Sequence, residues 1–150
     1  MPKVVRSAQI PLPPDKLWTI MRDVNMRPRW DVSVRRLERE DGSNVNATTL
    51  LRYTAPLMLG LTWRWEGEYS SYNPPERSAV RMQWGSMFRP FRKLAGSWIL
   101  TPDEQGTLLK ITVQFEPRIA LFEGLVTRRV SRVTTESLIR LRQLTMDSSI

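Results

Sequence analysis

Residues 119–146 contain no proline, and only Gly124 interrupts an otherwise helical run. Phe122, Leu125, Val126, Val130, Val133, Leu138, Leu141 and Leu144 trace one stripe at 3.6 residues per turn, whereas Arg128, Arg129, Arg132, Arg140 and Arg142 mostly fall off it. A helix of that length runs about 40 Å at 1.5 Å per residue, long enough to cross a domain. Its apolar stripe has to be covered, and the chain offers no second long helix. The rest of the sequence must supply a sheet with one apolar face.

Upstream, the period is mostly 2. Residues 4–10 read as a strand with Ala8 and Ile10 on one face, ended by Pro11, Pro13 and Pro14. Pro14 suits the first position of a helix, where its missing N–H costs nothing, and Asp15 suits the positive helix start. Leu17, Trp18 and Met21 then recur at helical spacing, predicting a short helix over 14–22, and Pro28 starts a second short turn ending near Trp30. A strand over 31–39 carries Val32 and Val34, with a bulge expected before Leu37. Asp41-Gly42-Ser43-Asn44 signals a turn, 47–54 a strand with Leu51 and Tyr53 on one face, and 55–60 an unusually greasy connection. Over 61–72 the alternation is clearest: Leu61, Trp63, Trp65, Gly67 and Tyr69 face one way, and Thr62, Arg64, Glu66, Glu68 and Ser70 the other. After Asn73-Pro74-Pro75, Val80, Met82 and Trp84 continue the apolar face. Beyond a loop at 85–93, Leu94, Gly96, Trp98 and Leu100 alternate, and after Asp103-Glu104-Gln105-Gly106 so do Leu109, Ile111, Val113 and Phe115.

The order is strand, two short helices, six strands, long helix. Strands joined by short turns pair antiparallel. The expected fold is a single α+β domain over 1–150, with a curved seven-stranded antiparallel sheet around the C-terminal helix. Gly67 and Gly96 on the inner face are expected to relieve crowding and let the sheet bend. A straight helix cannot fill a strongly bent sheet, so an internal cavity is expected between them. The residues expected to line it and bind a ligand are Tyr53, Trp63, Trp65, Tyr69, Met82, Trp84, Trp98, Leu100, Ile111, Val113, Phe115, Phe122, Val126 and Val130. Aromatic rows at strand spacing also fill ordinary cores, and that alternative stays open. Phenols and indoles, however, need polar partners when buried, and apolar walls with a few polar points are typical of small-molecule sites.

Cysteine and histidine are both absent. That removes disulfides, thiolate metal ligands, most zinc sites, the Ser-His-Asp triad and the usual base near neutral pH. No metal and no cofactor are expected. Tyr53 and Tyr69 point inward, Tyr72 stands near a strand end, and Asp31 and Arg52 reach inward only if a bulge shifts the register. Glu66 and Glu68 belong to the solvent face. No paired carboxylates or base–nucleophile constellation appears, so binding of a small hydrophobic molecule is favoured over catalysis. Aldol cyclisation can run on shape and ordered water, which keeps a cyclase or dehydratase as the alternative.

The formal net charge is +8, and 19 of the 23 cations are Arg. Such a surface attracts anions, but the cations are spread along the chain, so a basic nucleic-acid arm is not expected. A basic module binding RNA is the third reading. Its best support is the cluster Arg128, Arg129 and Arg132, and the inward alternation of the aromatics argues against it. Met1 to Arg6 do not read as a signal peptide, and no stretch approaches 18 apolar residues, so a cytoplasmic protein is expected. Successive hairpins would bring the loops at 55–60, 85–93 and 117–121 to one end. There Leu57, Met58, Met87, Phe88, Arg89, Phe91 and Arg92 would form the cavity mouth, with Lys93, Arg118, Ile119 and Leu121 beside them. A greasy basic rim is expected to gate the cavity and to touch an anionic membrane, or else to fold back over the core. Oligomeric state is not legible.

Ser7-Ala8-Gln9-Ile10-Pro11-Leu12-Pro13-Pro14-Asp15-Lys16-Leu17-Trp18, then Met21-Arg22-Asp23-Val24, then Arg27-Pro28-Arg29-Trp30-Asp31 resemble the opening of the START/polyketide cyclase–dehydrase superfamily, the SRPBCC or birch-pollen-allergen-like proteins. Gly96-Ser97-Trp98-Ile99-Leu100-Thr101-Pro102 and Gly106-Thr107 resemble its last hairpin, and the long final helix matches. The resemblance covers nearly the whole chain, and its motifs are structural. It implies a helix-grip fold with an internal cavity, in a superfamily whose members bind or transfer lipids, quinones, sterols, hormones and polyketides. Some members are aromatase/cyclases, and others are hydroxylase or oxygenase subunits. The Rieske-type branch needs Cys and His ligands that this chain lacks.

Overall fold

The computed structural model describes residues 1–39, 50–57 and 60–147. The turn expected at 41–44 and the beginning of the strand expected at 47 lie outside them. Seven strands pair antiparallel throughout: β1 (Lys3–Ile10), β2 (Arg36–Arg39), β3 (Leu50–Pro56), β4 (Thr62–Asn73), β5 (Arg77–Gly85), β6 (Phe91–Asp103) and β7 (Gly106–Pro117). Their order in the sheet is β1-β7-β6-β5-β4-β3-β2. Helices α1 (Pro14–Arg22) and α2 (Arg27–Trp30) follow β1, and a 3₁₀ turn (Ala120–Phe122) leads into α3 (Glu123–Met146). This is the curved α+β arrangement expected from the pattern, and the helix-grip fold that the resemblance implies.

Local chemistry explains the elements. Pro14 stands in the first turn of α1 with Asp15 beside it, and Leu17, Trp18 and Met21 bury one face. Gly106 has φ of 138°, and a Cβ there would stand 2.5 Å from the Ile10 carbonyl oxygen. Only glycine lets the β6–β7 hairpin approach the end of β1 so closely. Thr107 locks that corner by donating its hydroxyl to the Leu12 carbonyl at 2.6 Å.

Four expectations need correction. The strand expected at 31–39 begins only at Arg36. Asp31 Oδ1 accepts from the Ser33 N–H (3.0 Å) and hydroxyl (2.6 Å), and its carbonyl accepts from the Val34 N–H (3.1 Å), so a side-chain-stabilised turn wins over extension. Residues 55 and 56 extend β3 instead of starting the loop. Trp84 does not face inward. The β4–β5 register slips so that Glu66 opposes Trp84 while Gly67 opposes Met82. Opposed residues share a face, so the extra residue, Gln83, turns Trp84 onto the convex side with Glu66, where it is 49% exposed. Phe122 sits in the 3₁₀ turn, outside the α-helical period, and is 48% exposed. A second slip, at Ser70, turns Tyr72 inward opposite buried Ser78.

The core is uneven. Ile10, Leu17, Met21, Trp30, Leu100, Leu109, Leu138 and Leu141 form one dense cluster. Val34, Leu37, Leu51 and Tyr53 form a second, and Val4, Phe115 and Val130 a third. Helix α3 lies along β1 and β7 and touches α2. Over the middle strands the concave side is less covered: Trp65, Tyr69, Val80, Met82, Leu94, Trp98 and Val113 are all half-buried, as is Val126 of α3.

Candidate functional site

The half-buried concave face converges on one charged side chain. Arg27 and Asp31 stand four residues apart across the single turn of α2, on one face, and form an ion pair with Nε to Oδ2 at 2.6 Å. Side-chain exposure is 12% for Arg27 and 10% for Asp31. A buried pair of this kind costs several kcal/mol per ion in desolvation, about what its own attraction returns. It stands here because aromatic rings surround it. The Arg27 guanidinium lies over the rings of Trp98 (4.7 Å), Trp30 (5.4 Å) and Tyr53 (5.7 Å). Cation–π contacts of this sort strengthen as water is excluded.

Two chains of rings meet at that guanidinium. On one side, Trp30 packs on Trp98, Trp98 on Trp18, Trp18 on Tyr72 and Tyr72 on Tyr69, with centroids 4.7–6.1 Å apart. On the other, Tyr53 stacks on Trp65 at 3.9 Å and 5°, Trp65 lies by Trp63, Trp63 by Phe91 and Phe91 by Phe115. Gly67 makes the second stack possible, since a Cβ there would meet Val80 at 2.6 Å and Trp65 at 2.9 Å. Gly96 relieves no crowding: a Cβ would meet only the Thr112 carbonyl oxygen, at 4.0 Å.

Electrostatics keep the strip polar but neutral at its hydroxyls. Burial pulls the Arg27 pKa down, but Asp31 and the phenols of Tyr53 and Tyr69 outweigh it and leave it raised, so the guanidinium stays charged. Burial pushes the Tyr53 phenol up against the opposing pull of Arg27. Burial, then the neighbouring phenols, push Tyr69 up as well. Both are protonated donors at neutral pH, not bases. Arg39, lowered by burial and then by Arg22, also acts on both phenols.

The expected ligand-binding residues divide by burial. Tyr53, Trp63, Leu100, Ile111, Phe115 and Val130 are buried as floor and core. Trp65, Tyr69, Met82, Trp98, Val113 and Val126 are half-buried, and Trp84 and Phe122 are exposed. Two hollows that the structure outlines lie elsewhere. One of about 240 Å³ sits between β1 and α3 by Ala8, Leu138 and Ile139, and one of about 420 Å³ lies between Val24, Pro28 and 35–39. Neither is lined by an expected ligand residue. Asp31 does reach inward, but Arg52 does not: it pairs on the convex face with Glu66 at 3.2 Å. Arg27, Trp30 and Arg39 belong to this candidate site, and the sequence pattern does not single them out. The Arg-x-x-x-Asp spacing, with Trp30 one turn along, is the signal that marks the first two.

Loops at one end form a rim. Met58 lies outside the described residues, and Leu57 and Phe91 are half-buried. Met87 is 73% exposed, Phe88 79% and Leu121 86%, with Leu61, Ile119 and Leu125 also exposed. Arg89 folds back on the Gly85 and Ser86 carbonyls, and Arg118 donates to the carbonyl of Met87. Arg92 and Lys93 flank Glu116 at 3.7 and 3.9 Å. No helix of the described residues is long and apolar enough to cross a membrane.

Comparison with known proteins agrees with this architecture. The family model described as polyketide cyclase / dehydrase and lipid transport matches residues 1–145. No curated protein matches. Among solved structures, TTHA0849 from Thermus thermophilus is 25% identical, with 99% of this chain and 100% of that one covered and a TM-score of 0.75. The Zhui aromatase/cyclase from Streptomyces sp. R1128 is 16% identical over 97% and 93% of the two chains, with a TM-score of 0.78. Ginseng major latex-like protein 151 from Panax ginseng is 10% identical over 96% and 97%, with a TM-score of 0.71. The last two bear on the fold alone.

Proposed function

The chain belongs to the polyketide cyclase / dehydrase and lipid transport family, and on that premise we propose that it holds a small hydrophobic molecule on the concave face of its sheet. The observation that carries this reading is the half-buried state of inward aromatic and apolar residues, Trp65, Tyr69, Met82, Trp98 and Val113, in the middle of a sheet whose edges are sealed. Large apolar side chains left half-covered gain roughly 25 cal/mol for each Å² that a guest removes from water. Holding is favoured over turnover because Asp31, the one buried carboxylate among the described residues, is engaged by Arg27 and Ser33. A cyclase working through a protein base would need a free proton acceptor there. Native mass spectrometry of protein from cells, with extraction of what co-purifies, tests the reading. One apolar compound per chain is expected, retained less well by Trp63→Ala or Tyr69→Ala and unchanged by Glu66→Ala. An empty protein that takes up no lipid, quinone or polyketide-like compound would refute it.

The rim supports a second element of the same reading. Met87, Phe88, Ile119 and Leu121 stand exposed together with Arg92, Lys93 and Arg118, a combination suited to the headgroup layer of an anionic bilayer. Docking there would load the concave face. Vesicles with anionic lipid should co-sediment the protein at low salt, and salt or the pair Phe88→Ser, Leu121→Ser should release it. Equal indifference to anionic and zwitterionic vesicles would remove docking while leaving the binding reading intact.

A further inference from the structure

The geometry points to a built oxyanion subsite at the Arg27 hub, so that the occupant of the concave face is an amphipathic molecule carrying a carboxylate, enolate or comparable anionic oxygen at its inner end. The inference rests on the binding reading above and names the class of its ligand.

A guanidinium has five N–H donors. Arg27 gives Nε to Asp31 and a further hydrogen bond to the Tyr53 phenol. The rings of Trp98, Trp30 and Tyr53 lie over the group and make no demand on the remaining three N–H bonds. Among the described residues the Trp30 indole N–H, in a residue only 1% exposed, has no acceptor, and neither does the buried Arg39 Nε. On the acceptor side, Asp31 is spent: Oδ2 takes Arg27 and Oδ1 takes both donors of Ser33. The phenols of Tyr53 and Tyr69 are held protonated and can donate as well. Buried donors without acceptors are uncommon in native proteins and call for a partner.

The charges tell the same story. Arg27 and Arg39 both act on Tyr53 and Tyr69, while Asp31 answers only one of them. Arg22 and Asp23, the other charged groups acting on Arg39, are opposite in sign, and Arg22 acts the more strongly. One positive charge is left over in a strip walled by aromatic rings. A planar guanidinium with free in-plane N–H groups grips a two-oxygen anion in a fork, and such charge-assisted bonds are about twice as strong as neutral ones. The flat rings around it suit an aromatic or polyene body behind the anion.

A matched pair of fluorescent probes tests this: 8-anilinonaphthalene-1-sulfonate and N-phenyl-1-naphthylamine share a skeleton and differ by the sulfonate. The folded wild-type protein should bind both at one site, the sulfonate roughly ten-fold more tightly or better. Arg27→Met alone strands Asp31, so the test variant is the double change Arg27→Gln with Asp31→Asn, which is neutral and keeps hydrogen-bonding groups. It should still bind the neutral probe and lose the preference for the sulfonate. Asp31→Asn alone should raise the preference, because the competing carboxylate is gone; a purely structural ion pair would not produce that rise. Equal affinity for both probes in the wild type, or a preference that survives in the double variant, overturns the subsite and leaves the binding reading standing. A preference lost on changing Arg92 and Lys93 to Gln instead places the sulfonate at the rim and overturns it too. Failure of the wild type to bind either probe overturns both readings.

Discussion

The two flanks of the sheet use the same kinds of residue differently. Where β1 and β7 meet α1 and the second half of α3, Ile10, Leu17, Leu109 and Leu141 are fully buried. Across β4, β5 and β6, the large side chains Trp65, Met82 and Trp98 are only half-buried. The cause is the placement of one helix, since α3 lies along β1 and β7 and leaves the middle of the concave face less covered. Stability and receptive surface are thereby assigned to different strands. A mutation can affect one without the other, and this is what makes the comparison testable.

The largest expected difference is between leucines and methionines at matched depth in the sequence pattern. Leu141→Ala removes a side chain from the sealed cluster and should cost about 2–5 kcal/mol in urea or thermal unfolding. Met82→Ala, on the open flank, should cost less than about 1.5 kcal/mol and act mainly on probe binding. Equal losses at the two positions would mean that the middle strands are sealed after all.

The inner-face glycines sharpen the same contrast at a smaller scale. Gly67→Ala puts a Cβ 2.6 Å from Val80 and 2.9 Å from Trp65, so the Tyr53–Trp65 stack must shift, at about 1–3 kcal/mol. Gly96→Ala meets nothing closer than 4.0 Å and should be neutral or stabilising by roughly 0.5–1 kcal/mol, the usual gain over glycine in a strand. Chemical denaturation of the two variants side by side reads the difference. A costly Gly96→Ala would refute the open flank.

These glycines also show where sequence reasoning stops. Both read alike in the alternating pattern, because crowding depends on a neighbour in another strand. Helix α1 is legible to the residue, since proline, aspartate and an apolar stripe act locally. The order from β2 to β7 follows from short connections, whereas the pairing of β1 with β7 joins distant parts of the chain. Trp84 defeats the pattern because one unpaired residue, Gln83, reverses every face beyond it without altering the local alternation. Arg27 is hidden for a related reason. Its ion pair with Asp31 is local, but Tyr53 and Trp98, which turn a surface-type residue into a buried hub, come from β3 and β6.

That hub marks the boundary between the two flanks, and pH reads it. Burial raises the Tyr53 phenol pKa, and Arg27 only partly opposes the shift. In the unfolded chain the same phenol ionises near 10. Below that pH both states hold the proton and the full benefit of burying a neutral phenol is present. Above about 10 the unfolded state releases a proton that the folded state keeps, so stability falls with rising pH until the folded phenol ionises in turn. Tyr53→Phe removes this contribution, so its unfolding free energy should decline less steeply above pH 10 than that of the wild type. Tyr69, raised by the same cause on the open flank, adds to the slope. A bound oxyanion at Arg27 would withdraw part of the cation's help from Tyr53 and steepen the decline further. Unfolding curves between pH 8 and about pH 11.5, with and without 8-anilinonaphthalene-1-sulfonate, test both effects. An unchanged slope in Tyr53→Phe would mean that water reaches the phenol in the folded state, which would place Tyr53 on the open flank and not at its edge.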